Sequence, residues 1–147
     1  MLAFIIALVG CATGPNPPHV SPERAARDFV ERMQHADGDP SEAHAAFELL
    51  SARARGNLVV RATRYGAASG KTIAAESMLV PARFTLRFAP QRYVAVPSDG
   101  RTLVEVFGLR AEDRASIPCV LEEGAWRVDL TLPSLVPLQM RPRGSLL

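Results

Sequence analysis

Lysine is almost missing from this chain: Lys71 is the only one, and every other basic side chain is arginine. Neither sign of charge dominates, since 17 basic and 15 acidic residues are spread along 147 positions for a formal net charge of +2. No stretch is basic enough to make a nucleic-acid footprint, so that partner class is set aside. Apolar runs of bilayer length are also missing, because the longest, residues 2–9, falls far short of the roughly 20 residues a spanning helix needs. No Gly-x-Ser-x-Gly turn occurs, which removes the strained serine nucleophile of the hydrolases; Ser69 follows two alanines, and Ser77 and Ser116 have no evident histidine partner. The three histidines, His19, His35 and His44, show no ligand spacing and no paired cysteine, so no metal and no cofactor are expected. What remains is ordinary for a globular protein, with 48% apolar and 22% charged residues. A chain of this length can bury roughly two-thirds of its unfolded surface in one domain without a disulfide or metal staple.

Residues 2–9, Leu-Ala-Phe-Ile-Ile-Ala-Leu-Val, suit the apolar core of a secretory signal, which runs to roughly 7–15 residues. The run ends in Leu8-Val9-Gly10-Cys11, which resembles a bacterial lipobox. That resemblance implies cleavage between Gly10 and Cys11 and lipidation of the Cys11 thiol. No Lys or Arg precedes the run, and a start further upstream would supply the missing positive end. The alternative is a buried N-terminal strand or helix with a chance cysteine. Residues 11–20 then form a Pro-rich tether, about 25–30 Å long at ~3.1 Å per extended residue. Several acyl chains hold a protein on a membrane where one holds it only reversibly. Position 12 is Ala; by the same resemblance the periplasmic side of the outer membrane is favoured over the inner. With Cys11 used for lipid, Cys119 has no partner for an internal disulfide.

The body is expected over 21–135, with 136–147 as a tail. Ser21-Pro22-Glu23 opens a helix with a capping hydroxyl and a first-turn proline, and Ala25, Ala26, Phe29, Val30 and Met33 form its apolar stripe. Asp39-Pro40-Ser41-Glu42 opens a second, with Ala43, Ala46, Phe47 and Leu50 as its stripe. Ser51 caps a third running to about Ala68, and residues 74–79 add a short turn. From Arg83 the period changes to two: Phe84, Leu86 and Phe88 alternate with Arg83, Thr85 and Arg87. Tyr93–Val96 and Thr102–Phe107 flank the turn Asp99-Gly100, and Ser116–Leu121 and Ala125–Leu132 flank Glu123-Gly124. The expected fold is α+β, with two to three N-terminal helices packed on a curved antiparallel sheet of four to five strands.

The Phe29-Val30 helix, the step Phe47-Glu48-Leu49-Leu50-Ser51 and the strand Gly124-Ala125-Trp126-Arg127-Val128 resemble nuclear transport factor 2-like lipoproteins of the bacterial envelope. The resemblance covers roughly 21–133, although no strand pair flanking a late helix is visible. It implies a sheet wrapped round a long helix as a cone, in which relatives bind small molecules or, in some cases, place an acid/base carboxylate. Phe84, Leu86, Phe88, Tyr93, Cys119, Trp126 and Val128 are then pocket or core residues.

Among strand carboxylates, Glu105 shares its face with Leu103 and Phe107 and is the single candidate general base, against the plainer reading of a rim residue in water. Asp129 is expected to point outward, opposite Trp126, while Tyr93 and Tyr65 offer hydroxyls. Cys119 lies with Ile117 and Leu121 on an apolar strand face and reads as a buried, inert thiol. Gly66 to Thr72 resembles the end of a phosphate loop, but Tyr65 stands where that loop needs glycine, so an ordinary helix stop is the better reading. Arg83 and Arg87 are expected to share one exposed strand face with Arg92, with Arg101 nearby, open to anionic lipid or a partner, against the commoner reading of a solvated strand face. Two functions follow: a lipid-anchored envelope protein acting by protein contact, or a small-molecule-binding cone with catalysis as an extension.

Overall fold

The computed structural model describes residues 20–135. Gly10, Cys11, His19, most of the tether and the tail from 136 lie outside them. The described chain is α+β: three helices, a 3₁₀ turn and a one-turn helix precede a four-stranded antiparallel meander.

Each helix starts where a side chain can satisfy its free amides. Helix α1 (Pro22–His35) is capped by the Ser21 hydroxyl, which accepts from the Arg24 amide. Its apolar residues recur every three or four positions, so Ala25, Ala26, Phe29, Val30 and Met33 are all buried. Helix α2 (Pro40–Glu48) is capped by the Asp39 carboxylate, which takes the Ser41 and Glu42 amides and the Ser41 hydroxyl. Helix α3 (Ala52–Ser69) starts on Ser51 and stops at Gly70, which takes the left-handed conformation that ends a helix without a Cβ penalty. Gly66 to Thr72 is therefore a helix stop. The 3₁₀ turn Ala75–Met78 lies between α3 and α2.

Strands β1 (Arg92–Ser98), β2 (Arg101–Phe107), β3 (Arg114–Glu122) and β4 (Ala125–Val128) pair in chain order. Glu123 and Gly124 both have positive φ, 51° and 78°, the geometry that lets a two-residue turn match the strand twist. Helix α1 lies against one face of this sheet. There Val104, Val106, Ile117, Cys119 and Val128 meet Ala26, Phe29, Val30 and Met33 in a single cluster. Phe84, Leu86, Phe88, Tyr93 and Trp126 pack half-buried around it.

Three strand expectations are corrected. Residues 83–88 are not a strand: Pro81 starts a one-turn helix α4 (Pro81–Phe84), and the Thr85 amide and hydroxyl both bond back to the Pro81 carbonyl. A strand there would also lack an edge to join. The Ala95 amide of β1 donates to the Glu23 carboxylate, and Pro97, two residues on and facing the same way, has no amide to offer. Arg83 and Arg87 therefore do not share a strand face with Arg92, although all three are exposed.

The last strand ends at Val128, short of Leu132. The Asp129 amide still donates to the Pro118 carbonyl at 2.7 Å, but a proline cannot return the second ladder bond. Asp129 is also not outward; it is 7% exposed, because the α2–α3 junction covers that side of β4. Finally, Glu105 does not share the core face. Val104 and Val106 take that face, fully buried, and alternation sends Leu103, Glu105 and Phe107 to the other.

Candidate functional site

A buried polar cluster joins residues far apart in sequence. Leu50 pairs in parallel with Val128, so the Val128 amide donates to the Leu49 carbonyl and the Ser51 amide to the Val128 carbonyl, each at 2.9 Å. Around this bridge the Arg127 guanidinium holds the Glu48 carbonyl, and the Glu122 carboxylate takes the Ala52 amide. At its centre the fully buried Ser51 hydroxyl donates to Asp129 Oδ1 at 2.6 Å while accepting the Ala54 amide at 3.1 Å. Arg53 closes the cluster with Nε 3.0 Å from Oδ1 and Nη2 2.8 Å from Oδ2. Burial pushes the Asp129 carboxyl up, but hydrogen bonds from Arg53 and Ser51 and the Arg53 charge outweigh it and hold the group below the usual range. A serine proton committed to a carboxylate and a serine oxygen committed to a helix amide leave no free nucleophile. The cluster is a clamp between α3 and β4. Sequence reading found Ser51 only as a cap; its partner 78 positions on carried no local mark.

The sheet face turned away from α1 carries rows set by strand register. Arg92, Phe107 and Arg114 lie side by side, with the two guanidinium carbons 4.5 and 5.2 Å from the Phe107 ring centre. Glu105 sits one row in and accepts from Arg114 Nε at 2.8 Å. That hydrogen bond, with help from Ser116 and the Arg114 charge, outweighs burial and holds the Glu105 carboxyl below its ordinary value. A general base needs the opposite shift, so this geometry gives Glu105 a paired, structural part. The next row is apolar: Val96, Leu103 and Pro118, flanked by Val94 and Val120, none of them buried.

Cys119 lies in the core with its Sγ 3.8 Å from the Pro22 carbonyl oxygen. Burial, then the Glu23 and Asp129 charges, push its thiol up to about 12, which leaves almost no thiolate at neutral pH. Tyr93 is half-buried beneath Arg27, whose guanidinium carbon is 5.1 Å from the ring centre. Burial raises its phenol, with Arg27 opposing and Glu31 adding. Together with Gln34, Pro90 and Gln91 these residues frame an open hollow of about 450 Å³. Tyr65 is apart from it and 63% exposed. His35 bonds the Glu31 carbonyl and His44 faces Glu76 at 3.5 Å, on separate helices. No group of three His, Cys, Asp or Glu arranged for a metal occurs among the described residues, and no helix among them is long and apolar enough to cross a membrane.

Helix α3 supplies the remaining feature. Val59, Val60, Thr63, Arg64, Ala67 and Ala68 line an open groove of about 520 Å³ on its outer side. Set beside family models, curated proteins and solved structures, the chain matches none of them.

Proposed function

We propose that this chain is a lipid-anchored protein of the bacterial envelope that acts by protein contact. Cleavage after Gly10 and acylation of Cys11 would hold it, periplasm-facing, on a membrane, the outer one favoured. Support for the anchor comes from the apolar run 2–9 and the Leu8-Val9-Gly10-Cys11 sequence. A nuclear transport factor 2-like placement belongs to the same reading and draws on helices that precede an antiparallel meander, with α1 laid across it.

The observation that carries contact is the face turned away from α1. Its cross-strand row Val96–Leu103–Pro118 is apolar and half-buried to exposed, with the Arg92–Phe107–Arg114 row at the margin of the same face, beyond the row that holds Glu105. An apolar centre with an aromatic and arginines at its border has the composition of a protein interface. A second reading, small-molecule binding, draws on the hollow around Tyr93 and Arg27.

Photo-crosslinking of the full lipidated chain in its own cells tests the contact. A crosslinker at Val96 is expected to give one defined protein adduct, and Leu103→Arg to cut its yield about tenfold or more, as loss of a central interface residue does. No adduct at Val96, or a yield untouched by Leu103→Arg, would remove the contact reading from this face.

A further inference from the structure

Helix α3 buries Ala54, Leu58 and Ala62 on its inner side. On its outer side Val59 and Val60 stand 48% and 55% exposed, and with Thr63, Arg64, Ala67 and Ala68 they line the groove. A helix with one side in a core normally puts charge on the other, so this apolar side calls for a cover.

The chain itself leads to the groove. After β4 the Asp129 and Leu130 carbonyls accept from Arg53 Nη2, and the Pro133 carbonyl accepts from Arg61 Nη2. From Arg53 to Arg61 the helix rises about 12 Å, and from Leu130 to Pro133 an extended chain covers about 10 Å. The segment after β4 therefore runs beside α3 toward the C-terminal end of the helix, with Leu130 and Leu132 pressed on the core. It follows one ridge, because positions 53, 57, 61, 64 and 68 lie three or four apart on the helix. Arg64 and Ala68, the next two on that ridge, already form a wall of the groove.

The residues that come next have the chemistry the groove needs. Residues 135–140, Leu-Val-Pro-Leu-Gln-Met, carry no charge, while α3 carries arginines and no acid. A second α3 would set those arginines against themselves; an uncharged apolar segment meets no such opposition. Pro137 cannot continue a helix and biases the chain toward an extended form. In that form Val136, Leu138 and Met140 fall on one side. Attachment at Pro133 also gives the segment a local concentration on the order of millimolar, which lets even a weak contact hold.

We propose that residues 135–140 lie across the outer groove of α3 as a strap, with Val136, Leu138 and Met140 against Val59, Val60 and Ala67. The strap covers, from within the chain, the apolar side that the core leaves open. It depends on neither the lipid anchor nor the contact face of the sheet.

Disulfide trapping in the full chain tests this. Cys11→Ser removes one native thiol, and Cys119, buried and with its thiol pushed up to about 12, is too little ionised to compete. Leu138→Cys is then combined with Val60→Cys in the groove, or with Tyr65→Cys, 63% exposed on the same helix but outside the groove. A segment that merely sampled the surface would reach both positions alike. On mild oxidation the intramolecular crosslink to position 60 is expected to form at least about tenfold faster than that to position 65. Val136→Asp together with Met140→Asp is expected to slow the crosslink to position 60 about tenfold or more, since each removes a buried apolar side chain. Circular dichroism is expected to be unchanged in every variant. Equal rates at positions 60 and 65 would overturn the strap, as would a crosslink at position 60 indifferent to Val136→Asp and Met140→Asp. A product joining two copies of the chain also overturns it and gives the groove to a second molecule.

Discussion

Phe29→Ala is expected to lower the unfolding free energy by about 3–5 kcal/mol, the cost of emptying a large aromatic from a packed core. Phe29 is 2% exposed and is the largest of the fully buried side chains. It belongs to the cluster in which α1 meets Val104, Val106, Cys119 and Val128, so its ring holds the helix layer to the sheet. Alanine would forfeit the transfer free energy of the ring and leave a void that α1 and the sheet can close only partly. Domains of this size are stable by about 5–15 kcal/mol in total, so the variant should sit near the edge of folding. Urea unfolding of the full chain, followed by Trp126 fluorescence, checks this. A loss of less than about 1 kcal/mol would mean that α1 is not held on the sheet by this residue.

Asp129→Ala is expected to cost about 2–3 kcal/mol, because it removes a charged acceptor from a buried hydroxyl and frees the α3 junction from β4. Arg53 contributes less to this figure than its short distances suggest, since its side chain is 56% exposed and solvent screens it. Most of the loss belongs to the Ser51 contact. The same group gives the protein an acid limit. Its folded pKa lies below the unfolded value of about 3.9, so the unfolded chain binds the proton first as pH falls. The contribution is whole above about pH 4 and disappears as pH drops through the folded value. Glu105, held down by Arg114, shifts in the same direction. Thermal unfolding at a series of acid pH values should therefore show wild-type stability falling below about pH 4, with a shallower fall in Asp129→Asn. Equal slopes in the two proteins would contradict the clamp.

The helices were legible because their information is local. Ser21, Asp39 and Ser51 each cap the helix that follows, and the α1 stripe is buried at every expected position. Both hairpin turns also lie where Asp99-Gly100 and Glu123-Gly124 put them. The misreadings share one cause. A period of two says which residues lie on the same face, but it does not say which face meets the core or whether a neighbouring edge is open. Leu103, Glu105 and Phe107 do share a face, but Val104 and Val106 own the core side. Phe84, Leu86 and Phe88 alternate, yet Pro81 and the occupied β1 edge leave Phe84 at the end of a one-turn helix and Leu86 and Phe88 in irregular chain. Asp129 needed a partner from the other end of the domain. The third helix carried no mark of which side the core would use; Ala54, Leu58 and Ala62 are buried, while Val59 and Val60 stand exposed.

On the proposed reading, Cys11 carries the lipid that holds this domain on its membrane. Intact mass spectrometry of the protein extracted from its own envelope tests it most directly. The expected result is a chain beginning at Cys11, heavier than residues 11–147 by a diacylglyceryl group and its acyl chains, and absent from the membrane fraction in Cys11→Ser. A membrane-held chain that retains residues 1–10 with an unmodified Cys11 thiol would contradict it.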